Sequence, residues 1–199
     1  MPLFRVPGRR SLMFIAIGLY VTAIALIWIL RSGTGEPATA LGRTALETDA
    51  AAQNWARRQI TDALPSFRLP DLDGHPRDSE EWQGRLLVIN VWATWCAPCR
   101  EEVPLLIDLQ NQYDPKVLTV LGLSLDDPAP VARFAEDFGI NYPLLVGSDE
   151  VREVTRQFGS DQLGLPHTFF VDTEGTIVDF HLGLITPEQM ERLIERLVE

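Results

Sequence analysis

Sulfur chemistry is scarce in this 199-residue chain: it has two cysteines, and they stand close together in Cys96-Ala97-Pro98-Cys99. With no third thiol, a network of structural disulfides is excluded, and thiol chemistry has one place to happen. Acid is missing from residues 1–35, which carry Arg5, Arg9, Arg10 and Arg31, so the remaining 164 residues hold 13 basic and 28 acidic side chains, near −15 in net charge. No Lys/Arg cluster or basic helix face after Arg31 stands against that charge. An acidic body repels phosphate backbones, so nucleic acid is not an expected partner. Internal repeats and low-complexity tracts are also lacking, and repeat architectures go with them. What is plentiful is apolar material, 46% of residues, ample for a buried core with an attachment.

From Leu12 to Leu30 the chain runs LMFIAIGLYVTAIALIWIL, 19 residues without a charge. At about 1.5 Å per helical residue this covers roughly the 30 Å hydrocarbon thickness of a bilayer. Three arginines precede it and one follows, so the positive-inside bias places residues 1–11 in the cytoplasm, residues 12–30 in the membrane and the rest outside. The rival reading is a cleaved signal peptide, with Ala38-Thr39-Ala40 as a small-x-small site ten residues beyond the apolar run. Arg9-Arg10 also resembles a twin-arginine signal. Either way the body is expected in an exported compartment.

Residues 31–61 read as a linker opened by Ser32, Gly33, Gly35 and Pro37, with Thr44 and Glu47 able to cap a short polar helix reaching toward Ile60. Phe67, Leu69 and Leu72 alternate into the Asp73-Gly74 turn signal, which predicts a small hairpin or extended lead-in. Leu86–Val91 is a buried-strand candidate, followed by a helix through Tyr113 that Pro104 is expected to kink. A strand over Val117–Leu125, a helix ending at Gly139, a short strand at Leu144–Val146 and a helix over Val151–Phe158 follow. Thr168–Val171 and Ile177–Phe180 flank the turn Asp172–Gly175, and Pro187–Val198 carries Met190, Leu193, Ile194 and Leu197 on one face. Strands alternating with helices predict an α/β sheet with an antiparallel hairpin at one side.

The cysteine pair falls where the first long strand gives way to a helix. Unpaired N–H groups and the macrodipole at a helix N-terminus favour an anion, so Cys96 is expected to be the attacking thiolate. Cys99, one turn further in, is placed to resolve the mixed disulfide, and Pro98 stiffens the loop. Two other readings remain open. A zinc site needs four ligands, and His75, His167 and His181, none in a paired spacing, would have to supply the rest. A purely structural disulfide suits an exported protein, but closing so short a loop removes little chain entropy.

The run Trp92-Ala93-Thr94-Trp95-Cys96-Ala97-Pro98-Cys99, followed about 70 residues later by Gly164-Leu165-Pro166-His167-Thr168-Phe169-Phe170-Val171-Asp172, resembles the membrane-anchored TlpA/ResA-like (DsbE/CcmG-type) thioredoxins. The likeness covers residues 62–199. It implies a thioredoxin-like α/β fold, a central mixed sheet flanked by helices, with an extra αβ element supplied by Val131–Phe158. It implies a thiol:disulfide oxidoreductase with no cofactor beyond the Cys96–Cys99 pair. Its expected partners are disulfide-containing exported proteins, apocytochrome c among them, and a membrane thiol-transfer electron donor. By the same resemblance Pro166 is a cis-proline against the disulfide, and Leu165 offers backbone groups to an extended substrate segment. Glu102 shares a helix face with Cys99 and matches a family glutamate, which makes it a candidate proton acceptor and donor; a solvated helix glutamate is the alternative. Asn90 stands where cytosolic thioredoxins have a buried aspartate and reads as a hydrogen-bonded core amide. His167 departs from the small or acidic residue expected there. It is read either as an imidazolium lowering the thiolate pKa or as a solvent-facing side chain. Trp92 and Trp95 are expected to pack, with Trp95 also part of the docking surface.

Direction of electron flow is left open by these residues: the resemblance points to a periplasmic reductase, and a disulfide-donating oxidase uses the same motif. A non-enzymatic redox-sensing or partner-binding module uses the same domain. A peroxiredoxin would place Thr three residues before its cysteine and Pro seven before, where this chain has Ala93 and Ile89, so that reading is disfavoured.

Overall fold

The computed structural model describes residues 50–161 and 163–198. The segments expected as cytoplasmic N-terminus and membrane anchor, and the linker as far as residue 49, lie outside the described residues. Among the described residues no helix is long and apolar enough to cross a membrane.

Helix α1 covers residues 50–57. An antiparallel ribbon follows, β1 (Arg68–Pro70) against β2 (Pro76–Asp78), with Leu69 opposite Arg77. Its turn is built by Asp71, whose Oδ1 accepts the N–H groups of Asp73 and His75 at 3.0 and 2.9 Å. A 3₁₀ turn, Ser79–Trp82, leads into the main sheet.

That sheet has five strands: β3 (Leu86–Trp92), β4 (Leu118–Ser124), β5 (Leu144–Val146), β6 (His167–Val171) and β7 (Ile177–Leu182), in the order β5-β4-β3-β6-β7. The first three run parallel, β6 is antiparallel to β3, and β7 is antiparallel to β6. Parallel strands need crossovers, here α2 (Ala97–Gln112) and α3 (Pro128–Phe138); α4 (Ser148–Gln157) links β5 to β6, and α5 (Pro187–Val198) closes the chain. Helix α2 continues unbroken through Pro104. Gly139 ends α3 in the left-handed conformation at φ 67°, and its N–H returns to the carbonyls of Ala135 and Glu136.

Every residue of β3 is buried because helices cover both faces of the sheet. Leu86, Val88 and Trp92 point to one face and pack with Val103 and Leu106 of α2, Phe134 of α3, and Leu193 and Ile194 of α5. Leu87, Ile89 and Val91 point to the other and pack with Val151 and Val154 of α4, Phe158, Phe169 and Phe180. Truncating a side chain as deep as Leu106 to alanine costs roughly 2–5 kcal/mol, enough to threaten a domain of ordinary stability.

Residues 50–61, expected to belong to the linker, instead form part of the compact domain. Gln53 donates to the Leu182 carbonyl at 2.6 Å and accepts the Leu182 N–H at 2.8 Å. Arg57 donates to the Ile177 carbonyl, and Ala56 and Ile60 are buried. The helix thus covers the outer edge of β7, satisfying groups that an uncovered strand leaves unpaired. Gly159, at φ 79°, permits this approach: a Cβ there would fall 1.8 Å from the Gln59 carbonyl oxygen.

Candidate active site

Trp92 ends β3 and the chain turns through Ala93 to Trp95 into α2. The turn is held by Asp126 from the β4–α3 loop, whose Oδ2 accepts the Thr94 N–H at 2.6 Å. Cys96 is the N-cap of α2: its Sγ accepts the Cys99 N–H at 3.3 Å, so one of the helix's otherwise unpaired donors reaches this sulfur at the positive end of the macrodipole. Pro98 sits at a first-turn position, where its missing N–H leaves no helical hydrogen bond unmade. Cys96 and Cys99 are joined by a disulfide and are both buried, while Trp95 beside them is 67% exposed. Arg100 turns its guanidinium over the Phe134 and Phe138 rings, 5.9 and 6.0 Å away, toward α3.

One turn after Cys99, Glu102 is buried in the sheet-facing side of α2. Its Oε2 accepts from Asn90 Nδ2 at 2.8 Å and its Oε1 from the Ile185 N–H at 3.2 Å. Burial pushes its carboxyl up to about 7, against the two donors that favour the charged form. A carboxyl poised there exchanges protons readily at neutral pH. Asn90 also donates to Thr168 Oγ1 at 2.9 Å, which ties the strand before the cysteines to the strand after Pro166. Tyr142 is buried on the same face, and its phenol is pushed up by burial and then by the Glu102 charge.

Pro166 enters β6 through a cis peptide bond after Leu165, and its carbonyl accepts the Gly183 N–H at 2.8 Å. Leu165 is half-buried against both core clusters, and among the described residues its own backbone N–H and C=O have no partner.

The two expectations for His167 are both corrected. It neither faces solvent nor carries charge: the ring is 2% exposed and burial lowers its pKa to about 4. Its strand position explains this. His167 is paired with Val91, whose side chain points away from α2, whereas the next residue, Thr168, is paired with Asn90 and points toward it.

Residues brought together as the sequence suggested are Cys96, Cys99, Glu102 and Asn90. Thr168, Asp126, Tyr142 and the Ile185 N–H escaped sequence reading. Asp126 follows the strand Leu118–Ser124 closely, a position where a polar side chain borders a site at the strand C-termini. The Ile185 amide leaves no sequence signal.

Residues 60–180 match the model of the AhpC/TSA family. The thiol-disulfide oxidoreductase ResA of Geobacillus kaustophilus (strain HTA426) is 31% identical over 139 residues, spanning 69% of this chain and 78% of that protein. The chain belongs to the AhpC/TSA family and is a thiol-disulfide oxidoreductase of the ResA-like kind. The thioredoxin-like protein YneN of Bacillus subtilis (strain 168) is 29% identical over 135 residues, 66% of this chain and 76% of that one. Among solved structures, a thiol:disulfide interchange protein of the thioredoxin family from Chlorobium tepidum TLS matches with a TM-score of 0.61 at 25% identity, covering 70% of this chain and 97% of the other. The architecture is accordingly thioredoxin-like, with α3, β5 and α4 between the two site motifs.

Proposed function

We propose that this enzyme is held at the bacterial inner membrane by residues 12–30, N-terminus cytoplasmic, and reduces disulfides of exported proteins in the periplasm. The uncharged run and the arginine excess ahead of it support the anchor. The observation that carries the chemistry is Glu102: a buried carboxyl titrating near neutrality, one turn beyond the second cysteine of a buried pair.

The Cys96 thiolate, favoured by the N-terminus of α2, attacks one sulfur of a substrate disulfide. A Cys96–substrate bond forms, and the other substrate sulfur leaves as a thiolate and takes up a proton. Glu102 accepts the Cys99 proton, and the Cys99 sulfur attacks Cys96. This closes the Cys96–Cys99 bond and releases the second substrate thiolate, which is protonated in turn. Two electrons have passed to the substrate, and a membrane thiol-transfer donor restores the dithiol. Leu165 supplies the docking edge, its unpaired backbone groups adding to an extended substrate segment while Trp95 packs against that segment; the family resemblance implies that Pro166, after the cis bond, stands against the disulfide. Apocytochrome c, whose paired cysteines must be thiols before haem attachment, is the substrate class that the resemblance to ResA favours.

The potential of the pair decides direction. Equilibrated against thiol buffers and followed by tryptophan fluorescence, a value near or below the roughly −270 mV of thioredoxin supports a reductase; one near the roughly −120 mV of DsbA means a disulfide donor instead. Cys99→Ser expressed in the exported compartment is expected to trap mixed disulfides through Cys96. Trapping nothing would remove the exchange mechanism.

A further inference from the structure

His167 occupies a place where hydrocarbon would be cheaper. Its ring lies among apolar side chains, 5.6 Å from the Phe169 ring and 6.0 Å from that of Phe180. Nδ1 is 3.0 Å from the Gly164 carbonyl oxygen, and since a carbonyl only accepts, Nδ1 carries the proton. The neutral ring therefore has its lone pair on Nε2, which is buried without a partner. An acceptor left unsatisfied in this way costs about 1–3 kcal/mol, which phenylalanine or leucine would avoid.

What the imidazole does that hydrocarbon cannot is hold Gly164. That glycine is exposed, and even a Cβ added to it would meet nothing within 4 Å, so side-chain packing does not fix it. Gly164 immediately precedes Leu165, whose backbone N–H and C=O are free among the described residues. On the other side of Leu165, the Gly183 N–H fixes the Pro166 carbonyl. The edge is thus anchored after Leu165 by a backbone bond and before it by the His167 ring.

We propose that His167 is a positioning residue of the docking edge: its Nδ1–H holds the Gly164 carbonyl so that Leu165 presents its backbone to an extended protein substrate in one orientation. This rests on the reading of Leu165 as that edge. The consequence is selective. A protein segment that pairs with Leu165 depends on His167, whereas a small disulfide that reaches Cys96 without pairing depends on it less.

Full-length wild type, His167→Phe and His167→Asn are compared on insulin and on cystamine, a disulfide with no peptide backbone. Phenylalanine fills the space and removes the donor; asparagine returns an N–H near the position of Nδ1. Losing one neutral hydrogen bond, about 0.5–1.5 kcal/mol, is expected to raise KM for insulin roughly 2- to 10-fold, with the loss in KM rather than kcat and larger than any loss on cystamine. Asparagine is expected to recover most of it. Equal losses on both substrates, an unchanged KM for insulin, or no recovery by asparagine would overturn the proposal. If wild type reduces cystamine but not insulin, the docking-edge reading itself falls and takes this inference with it. If wild type reduces insulin and the phenylalanine variant matches it, the inference alone falls. The ring tautomer, read by NMR of the His167 nitrogens in the wild type, is a test that no folding defect can confuse: a proton on Nε2 instead of Nδ1 refutes the bond.

Discussion

Between pH 4.5 and 6.5 the oxidised domain should show an unusual cancellation. Unfolded, a glutamate titrates at 4.5 and a histidine at 6.5, so in this window the carboxylate is charged and the imidazole protonated. Folded, Glu102 keeps its proton up to about 7 and His167 stays neutral down to about 4. Each state holds one proton on the pair, so the two groups together contribute no slope of stability against pH. Substitution exposes the halves. In Glu102→Gln only His167 remains. Its folded pKa is depressed, so the unfolded state binds the extra proton, and stability rises with pH through the window. In His167→Phe only Glu102 remains. Its folded pKa is raised, so the native state binds the extra proton, and stability falls as pH rises. At 1.36 kcal/mol per pH unit for a full proton, and with each group only partly titrated near the window's edges, the two units give a change of about 2 kcal/mol in each variant, opposite in sign. The double variant should run parallel to wild type. Urea melts at pH 4.5, 5.5 and 6.5, followed by tryptophan fluorescence, measure this as variant-minus-wild-type differences. Exposed carboxylates held low by arginines, such as Glu81 beside Arg77 and Glu153 beside Arg156, add the same background to every protein. Differences for both single variants that stay flat within about 0.5 kcal/mol would mean that both groups titrate normally in the fold, and the assignment of a near-neutral Glu102 would fail.

Gly122→Ala is expected to lower stability by roughly 1–3 kcal/mol in the same melts, because its Cβ would stand 2.6 Å from Leu144 Cδ2 and 3.0 Å from Trp92 Nε1 in a packed layer. Gln53→Leu removes two hydrogen bonds to Leu182, about 1–3 kcal/mol together, and amide exchange at Leu182 should quicken well before exchange in β3 does. In insulin reduction the wild-type rate is expected to inflect near pH 7 as Glu102 ionises; Glu102→Gln should be slower and lose that inflection, and a retained inflection would assign it to another group.

The main elements were legible because their signals are apolar and periodic. Leu86–Val91 reads as a buried strand since both of its faces are covered, and Pro187–Val198 shows its buried stripe of Met190, Leu193, Ile194 and Leu197 directly. Residues 50–61 were not legible as part of the domain, because what attaches them is Gln53 and Arg57 reaching backbone groups of β7, with little beyond Ala56 and Ile60 to mark a hydrophobic face. At the site, Cys96, Cys99 and Glu102 follow from spacing on one helix. The Ile185 N–H does not: it comes from a loop 83 residues away and carries no side-chain signature.

The contrast between His167 and Thr168 shows why sequence proximity to a site motif is weak evidence of participation in it. Successive strand residues point to opposite faces, so a residue adjoining the cis-proline is assigned by register, not by distance. With Val91 opposite His167 and Asn90 opposite Thr168, the hydroxyl faces α2, where it accepts from the amide that also holds Glu102. A slip of one residue would exchange them, setting an imidazole beside the buried carboxyl and a hydroxyl among phenylalanines. The pairing of β6 with β3 therefore does more than close the sheet. It decides that the group near the thiols able to change protonation at neutral pH is a carboxyl with fixed donors, and it leaves the imidazole, uncharged on the far face, to act on the docking edge through its hydrogen bond to Gly164.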